Sequence, residues 1–283
     1  MDRVSRAIRN IEKCAAVPSF SSFEERLHPV VRAVADKTRN VNEVGPGALG
    51  NSLVFEYRKE GLEPKIALSA HLDKINHYGY DYPDQLPVLI NDSYMEGIMD
   101  DSTGVGICLT LMELASELEL PSCYFFFTDM EEKFGLRHHP ELLKNSAEGI
   151  SHGQGAKTVA RYIRENKPVP ELVITIDTTP LFQGKKGIAL YSKFWEHNSD
   201  GKASEVLQEA TNEYVAELNE IIPDLLLANN TNDYIHFGNE FNGYGKGNGS
   251  PVVSLALEPA IYPYHQKEER VFIDDIRKTL NSL

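Results

Sequence analysis

The stretch KIALSAHLD, residues 65–73, decides the fold class, because an apolar run ends there directly in a histidine and an aspartate. A short apolar run bounded by turn residues is typical of a buried strand, and we predict one over residues 65–70. The runs CYFFF (123–127), LVITI (172–176) and VVSLAL (252–257) have the same character. Buried strands that alternate with helices indicate an α/β fold. We therefore predict three α/β/α layers around a central mixed, largely parallel sheet.

Hydrophobic periodicity predicts the other elements of these layers. Further strands are expected over residues 52–57 and 187–191. The tyrosine-rich stretch 77–94 and the glycine-rich stretch 241–250 are predicted to be loops, and the second lacks the residue order of a phosphate-binding loop. Helices are expected over residues 3–16, 22–37, 102–118, 202–222 and 271–280, with another from just after Gly153 to about Glu165.

Length and composition are those of an ordinary globular protein. The chain has 283 residues, of which 41% are hydrophobic and 25% charged, enough for a sizeable core. We predict a single catalytic domain over residues 1–283. The formal net charge of −14 argues against nucleic acid and anionic membrane as partners. No run approaches the roughly 18 apolar residues of a membrane span.

The cysteines and the N-terminal stretch bear on location. Cys14, Cys108 and Cys123 form no zinc motif and no disulfide framework. Cys108 and Cys123 lie in apolar runs and are predicted to be buried free thiols, which fit a reducing compartment. The stretch MDRVSRAIRNIEKC is charged and lacks the apolar core of a signal peptide. The expected location is therefore the cytoplasm.

Polar residues of one chemical kind follow the predicted strands. Functional residues of α/β sheets collect at the carboxyl ends of the strands, and here these positions carry imidazoles and carboxylates. The residues concerned are His71, Asp73, Glu131, Glu132, Asp177 and His265, and GIMDDSTGV adds Asp100 and Asp101 just before a predicted helix.

Imidazoles and carboxylates without thiols are typical of a catalytic zinc, cobalt or manganese site, not of a structural zinc site. The charge balance favours two ions over one. A single zinc held by three carboxylates would be anionic and poor at polarising a carbonyl group. Two divalent ions against three carboxylates keep a small positive charge. One carboxylate must then bridge the ions, which lie roughly 3.5–4 Å apart in two-metal sites.

Each of these features has a purely structural explanation when taken alone. A histidine after a strand is most often hydrogen-bonded in a loop, and a Glu-Glu pair is most often solvated. An Asp-Asp pair before a helix is typical of an N-cap. A metal site is favoured because five such segments occur together in one chain. They are His71 with Asp73, the Asp100–Asp101 pair, the Glu131–Glu132 pair, Asp177 and His265.

The same motifs, in the same order, resemble those of the co-catalytic di-zinc exopeptidase superfamily. It includes bacterial leucyl aminopeptidases, tetrahedral glutamyl aminopeptidases, and the acetylornithine deacetylase and carboxypeptidase enzymes. The resemblance covers nearly the whole chain, and the stretch VPSFSSFEER resembles the opening region of these enzymes. The motifs are HLD (71–73), DDSTG (100–104), MEEKFGL (130–136), ITIDTT (174–179) and YHQKEE (264–269).

The resemblance implies a ligand set for two zinc ions, with cobalt or manganese as alternatives. His71 and Asp177 would bind one ion, and Glu132 and His265 would bind the other. Asp100 would bridge the two ions.

The resemblance also implies roles outside the ligand set. The peptide bond from Asp100 to Asp101 would be cis. Glu131 would be the general base, and Asp73 would hold the ring of His71 and fix its tautomer.

Chain lengths between the ligands favour the single-domain leucyl aminopeptidase branch. Glutamyl aminopeptidases carry an inserted domain between the equivalents of His71 and Asp100, and only a loop fits there in this chain. The deacetylases carry a dimerisation domain between the equivalents of Asp177 and His265, where little room is left here. Two departures concern specificity more than chemistry: the branch is commonly secreted, and GLRHHPE stands where the family has a GLRGS-like continuation.

We therefore predict a di-zinc aminopeptidase that acts on peptides or small amides. A deacylase or amidohydrolase of small N-acylated amino acids would use the same ligands, and the single-zinc glutaminyl cyclases share the fold. A non-catalytic binding protein on this scaffold would be expected to lose a ligand or Glu131. The sequence does not assign the preferred substrate or the oligomeric state, nor the roles of His138, His139, Asp233 and His236.

Overall fold

A computed structural model describes residues 2–132, 152–199, 201–243 and 250–283. Its centre is a mixed eight-stranded sheet, as predicted, and four short strands form a second, antiparallel sheet. In chain order the strands are β1 (Val41–Glu43), β2 (Leu53–Tyr57), β3 (Ile66–His71), β4 (Leu89–Ile90), β5 (Tyr94–Gly97), β6 (Cys123–Thr128), β7 (Leu172–Ile176), β8 (Ile188–Tyr191), β9 (Leu226–Ala228), β10 (Val253–Pro259), β11 (Ile261–Tyr262) and β12 (Glu269–Phe272).

The central sheet runs in the order β1-β2-β6-β3-β7-β10-β8-β9, and its four middle strands, β6, β3, β7 and β10, are parallel. Leu68 of β3 aligns with Phe125 of β6 on one side and with Ile174 of β7 on the other. This register brings the carboxyl ends of the middle strands to one edge of the sheet. The smaller sheet, β11-β12-β5-β4, adds two further segments to that edge.

Helices cover both faces of the central sheet, which explains the continuous apolar runs in its strands. The helices are α1 (Arg3–Ala15), α2 (His28–Ala35), α3 (Ser102–Leu114), α4 (Gln154–Asn166), α5 (Glu205–Ile221), α6 (Asp233–Phe241) and α7 (Ile273–Ser282). Phe125 of β6 belongs to the core under α1, α3 and α7, and Phe126 belongs to the core under α4 and α6. Neighbouring residues of one strand thus supply two separate cores.

Helix α3 lies against the sheet with almost every residue buried. A Cβ atom at Gly104, in its first turn, would overlap the main-chain oxygen of Ile176 at the end of β7. Glycine at this position therefore lets the start of α3 approach the edge of the sheet closely. This contact places the segment before α3 beside the residues that follow β7.

Several element boundaries differ from the sequence-based expectation. The helix expected over residues 22–37 is a short 3-10 turn (Glu24–Arg26) followed by α2, with Pro29 in the first turn of α2, where the missing N–H of proline is tolerated. The last helix begins at Ile273 because the preceding residues pair with β5. The stretch 77–94 contains β4 and the first residue of β5. Helix α6 was not anticipated. Among the described residues, no helix is long and apolar enough to span a membrane.

Candidate active site

The carboxyl edge of the central sheet gathers residues from five separate segments. His71 ends β3, Glu131 and Glu132 follow β6, and Asp177 follows β7. The loop between β11 and β12 carries His265, and the loop between β5 and α3 carries Asp100.

Asp100 lies between the two histidines. Its Oδ1 is 3.1 Å from Nε2 of His71, and its Oδ2 is 3.4 Å from Nε2 of His265. Each histidine has a second carboxylate nearby: Asp177 Oδ1 is 3.6 Å from His71, and Glu132 Oε1 is 3.2 Å from His265. Among the described residues the candidate ligand atoms form three groups, each within 4.8 Å. Two of them, His71 with Asp177 and His265 with Glu132, share Asp100, and the third joins His71 to Glu131 and Glu132. This is the geometry of two adjacent cation sites with one bridging carboxylate.

The two residues of the Asp-Asp pair have different partners: Asp100 contacts the histidines and Asp101 caps helix α3. The bond between Asp100 and Asp101 is cis, in agreement with the prediction. Asp101 is the N-cap of α3, where its Oδ1 accepts the N–H of Gly104 at 2.8 Å. Its Oδ2 accepts the N–H of His71 at 3.3 Å. The N-cap explanation therefore applies to Asp101, whereas Asp100 faces the histidines.

Asp73 contacts both His71 and the glutamate pair. Its main-chain oxygen is 3.0 Å from Nδ1 of His71, and its Oδ1 is 3.3 Å from the same nitrogen. If Nδ1 carries the proton, Nε2 is left to face the site. The carboxylate of Asp73 also accepts the N–H groups of Glu131 at 3.0 Å and Glu132 at 3.1 Å, and the hydroxyl of Ser21 at 2.8 Å. One buried side chain therefore connects two of the segments that build the site.

The charges of the site are out of balance without a cation. Burial lowers the pKa of His71, but hydrogen bonds to Asp100 and Asp177 outweigh it and raise that pKa well above its usual value. For His265 burial is likewise opposed by the nearby carboxylates of Asp100 and Glu132, whose attraction prevails and raises the pKa to about 10. Burial and the nearby Asp100 raise the pKa of Asp177 to about 6. The carboxylates thus draw protons onto the histidines to compensate their own charge.

The donor atoms fit divalent metal ions. Nε2 of His265 is buried, and although two carboxylates lie within 3.4 Å, it makes no hydrogen bond to any described residue. A buried nitrogen without a hydrogen bond is unfavourable unless another partner satisfies it. Imidazole nitrogens with carboxylate oxygens are ligands that zinc, cobalt and manganese accept. The residues could therefore hold metal at this edge of the sheet.

Glu131 differs from its neighbour Glu132 in its surroundings. Glu132 is buried beside His265, whereas Glu131 is half-buried. Burial raises the pKa of Glu131 well above its usual value against the attraction of His71, and repulsion from Glu132 adds to the rise. A carboxylate held beside the reacting groups can accept a proton and return it.

Several buried carboxylates near the site were not assigned from the sequence. Asp233, at the start of α6, accepts the hydroxyl of Thr128 at 2.6 Å, and burial raises its pKa to about 7. Glu258 in β10 is also buried, with its pKa raised by burial and by Asp177. Glu258 could have been found from the sequence, because it directly follows the apolar run VVSLAL. Glu269 is a third such residue.

The sequence left the roles of His236, His138 and His139 open, and the structure describes only His236. His236 lies on α6 and packs against Gly153 rather than among the metal-binding candidates. Burial lowers its pKa to about 4. His138 and His139 lie outside the described residues.

Residues 53–279 match the profile of peptidase family M28. The chain belongs to this family. It is therefore a metal-dependent peptidase, and the superfamily resemblance drawn from the motifs is confirmed. No curated protein sequence matches the chain significantly.

Solved structures with the same fold include several peptidases. A TET aminopeptidase from the marine-sediment archaeon Thaumarchaeota has a TM-score of 0.67 at 12% identity, covering 99% of this chain and 95% of the other. The TET1 peptidase of Pyrococcus horikoshii has a TM-score of 0.62 at 15% identity, covering 97% of both chains. A leucine aminopeptidase precursor from Bacteroides thetaiotaomicron has a TM-score of 0.63 at 12% identity, covering 99% and 94%. These structures share the fold at low sequence identity and do not separate the branches, so the leucyl aminopeptidase branch stays a prediction.

Proposed function

We propose that this M28 peptidase is an aminopeptidase that uses two metal ions to remove residues from peptide N-termini. One observation carries the proposal: the two oxygens of Asp100 face different histidines, and each histidine has its own second carboxylate. The names of the structural neighbours, which include TET and leucine aminopeptidases, support the choice of exopeptidase.

In this proposal His71 and Asp177 hold one ion, Glu132 and His265 hold the other, and Asp100 bridges them. Zinc fits the donor set, and cobalt and manganese are the alternatives. When bound, the ions would lower the pKa of a shared water and stabilise negative charge on the scissile carbonyl.

Glu131 is the proposed general base. It stands next to the proposed ligand Glu132, and its carboxylate lies close to His71 and Glu132. It takes a proton from the attacking water and returns it to the nitrogen of the leaving amine. The carboxylate must be ionised for the first step and is protonated before the second.

The surplus of acidic groups supports a substrate with a free N-terminus. A peptide α-amine is largely protonated near neutral pH, and the carboxylates at this edge of the sheet attract a cation. An N-acylated amino acid offers no such charge. We therefore favour the aminopeptidase over the deacylase, which shares the ligand set.

We also propose that the chain acts as one catalytic domain in a reducing compartment such as the cytoplasm. A single core cluster joins Met95 of the small sheet to Leu255 of the central sheet and to Ile107 of α3, which supports one folding unit. The three cysteines are buried and free, as expected where disulfides do not form.

The test is metal analysis and hydrolysis on one purified sample, with aminoacyl anilides and N-acylated amino acids as substrates. We expect about two ions per chain and chelator-sensitive cleavage of the free-amine substrates. Activity confined to N-acylated compounds would move the function to a deacylase. Folded protein that takes up no zinc, cobalt or manganese and cleaves neither class would contradict the proposal.

A further inference from the structure

Glu269 is a buried carboxylate that belongs to none of the groups of candidate metal ligands. It is about 1% exposed and lies on β12, where its backbone pairs with Gly97 at the end of β5. The chain leaves β5 through residues 98 and 99 and reaches Asp100. The side chain of Glu269 therefore lies alongside the segment that delivers the shared carboxylate to the site.

The oxygens of Glu269 accept three main-chain N–H groups from two segments. Oε2 accepts the N–H of Met99 at 2.7 Å and that of Asp100 at 3.1 Å. Oε1 accepts the N–H of Gln266 at 3.3 Å. Gln266 directly follows His265, and so one carboxylate connects the backbone of Asp100 to the backbone next to His265.

The pairing of β5 with β12 ends at Gly97 and Glu269, before either Asp100 or His265 is reached. Both residues lie in loops, Asp100 between β5 and α3 and His265 between β11 and β12. Asp100 and His265 must nevertheless stay close, since their side chains belong to one candidate cation group together with Glu132. A carboxyl group has two oxygens that can accept hydrogen bonds from different segments, which suits Glu269 to fixing this distance.

We propose that Glu269 is a positioning residue, which holds Asp100 and His265 at the separation that a metal ion between them requires. The proposal rests on the two-metal site proposed above. Glu269 itself touches neither the metal nor the substrate. Residues that orient metal ligands commonly contribute about 10- to 100-fold to metal affinity or activity.

The experiment compares Glu269→Gln with Glu268→Gln. Glu268 is the adjacent residue and is exposed, so the pair matches in chemistry and in chain position. Glutamine at 269 keeps one oxygen, and its NH2 group must face either the Met99 and Asp100 donors or the Gln266 donor. One of the two connections is lost in either orientation, whereas the size of the side chain is kept.

Metal-free samples are titrated with zinc and, separately, with cobalt(II), whose absorption spectrum reports the ligand geometry. For Glu269→Gln we expect one of the two ions to bind about 10- to 100-fold more weakly, with a changed cobalt spectrum. Glu268→Gln should match the parent protein in both. Glu269→Asp, which keeps the charge but withdraws it by one methylene, should lie between the two.

Binding of both ions as in the parent, with an unchanged spectrum, would overturn the proposal. So would a lowered melting temperature of the metal-free protein with normal metal binding, since Glu269 would then serve only the fold. If neither Glu269→Gln nor Glu269→Asp folds without metal, the proposal is also overturned, because Glu269 would then be needed for the fold. Because metal binding is measured without substrate, the result does not depend on whether the enzyme is an aminopeptidase.

Discussion

Glu131 and Glu132 are adjacent in sequence, yet their surroundings suit them to different tasks. Replacing Glu131 with glutamine keeps the shape but removes the proton acceptor. We expect turnover to fall by at least about 10²- to 10⁴-fold, while two ions remain bound. Activity and metal content measured on the same sample give the result.

Glu132→Gln is the contrasting variant for that experiment. Because Glu132 lies 3.2 Å from His265, its replacement should remove metal together with activity. Near-normal activity of Glu131→Gln, or equal metal loss in both variants, would contradict the division of roles.

Asp73 gives a second test at the level of single residues. Asparagine there must turn its NH2 group toward either the Glu131 donor or the donors of Glu132 and Ser21. We expect metal affinity and kcat to fall about 10- to 100-fold. The matched control is Asp84→Asn, the same change on an exposed side chain of the loop that follows. Equal behaviour of the two variants in metal titration would show that Asp73 does not organise the site.

At the level of elements, the start of α4 is held close to the glutamate pair through Gly153. This residue has φ of +63°, donates its N–H to the main-chain oxygen of Glu131 at 3.2 Å, and leaves no room for a Cβ beside the ring of His236. Alanine here should lose about 1–2 kcal/mol from the left-handed backbone and about 1–3 kcal/mol more from overpacking.

Gly61→Ala is the control for that substitution. Gly61 has φ of +75° and open space around it, so alanine there should carry the backbone cost alone. Denaturant unfolding measures both variants. If Gly153→Ala is no less stable than Gly61→Ala, then His236 can move aside and the close packing is unimportant.

The elements that could be predicted from sequence are those with strong local signals. Apolar runs located the middle strands to within a residue or two, and the polar residue after each run proved to be at the shared edge of the sheet. Strand β12 was missed because ERVF alternates weakly and continues into a helix, so its partner β5, far away in sequence, decides the structure. Helix α6 was missed although Asn232 caps it and Tyr234 and Phe237 are spaced for one buried face.

Prediction of the candidate site from the sequence is limited in the same way, because local signals do not show which residues pair at long range. The predicted residues were found from their order after the strands, and their assignment as ligands stays a prediction. Glu269 could not be separated from Glu268 in the motif YHQKEE, because the two are chemically identical. Only pairing of Glu269 with Gly97 turns one inward and leaves the other exposed.

Across the whole molecule, the acidic character of the site predicts a coupling between metal and protons. The pKa of His265 is raised to about 10 and that of His71 is also raised, so both imidazoles are protonated at pH 7 without metal. A cation must displace these protons, and so metal affinity should rise with pH across pH 6–8.

We expect about two protons to be released per chain on metal binding near pH 7. Calorimetric titration in two buffers of different ionisation enthalpy counts them. The control is the Glu131→Gln variant, which alters the proposed base but leaves the ligands. Affinity that is constant over this pH range would contradict the balance of charges described here.

The order of the candidate ligands along the chain bears on biosynthesis. They begin at His71 in an early strand and finish at His265 beyond the last strand of the central sheet. A polypeptide emerging from the ribosome therefore lacks one side of the second cation group until the residues beyond β10 have been made. Because domains fold as units during translation, hydrolytic capacity would arise in a single step after that point. Partly synthesised chains would not cleave the peptides around them.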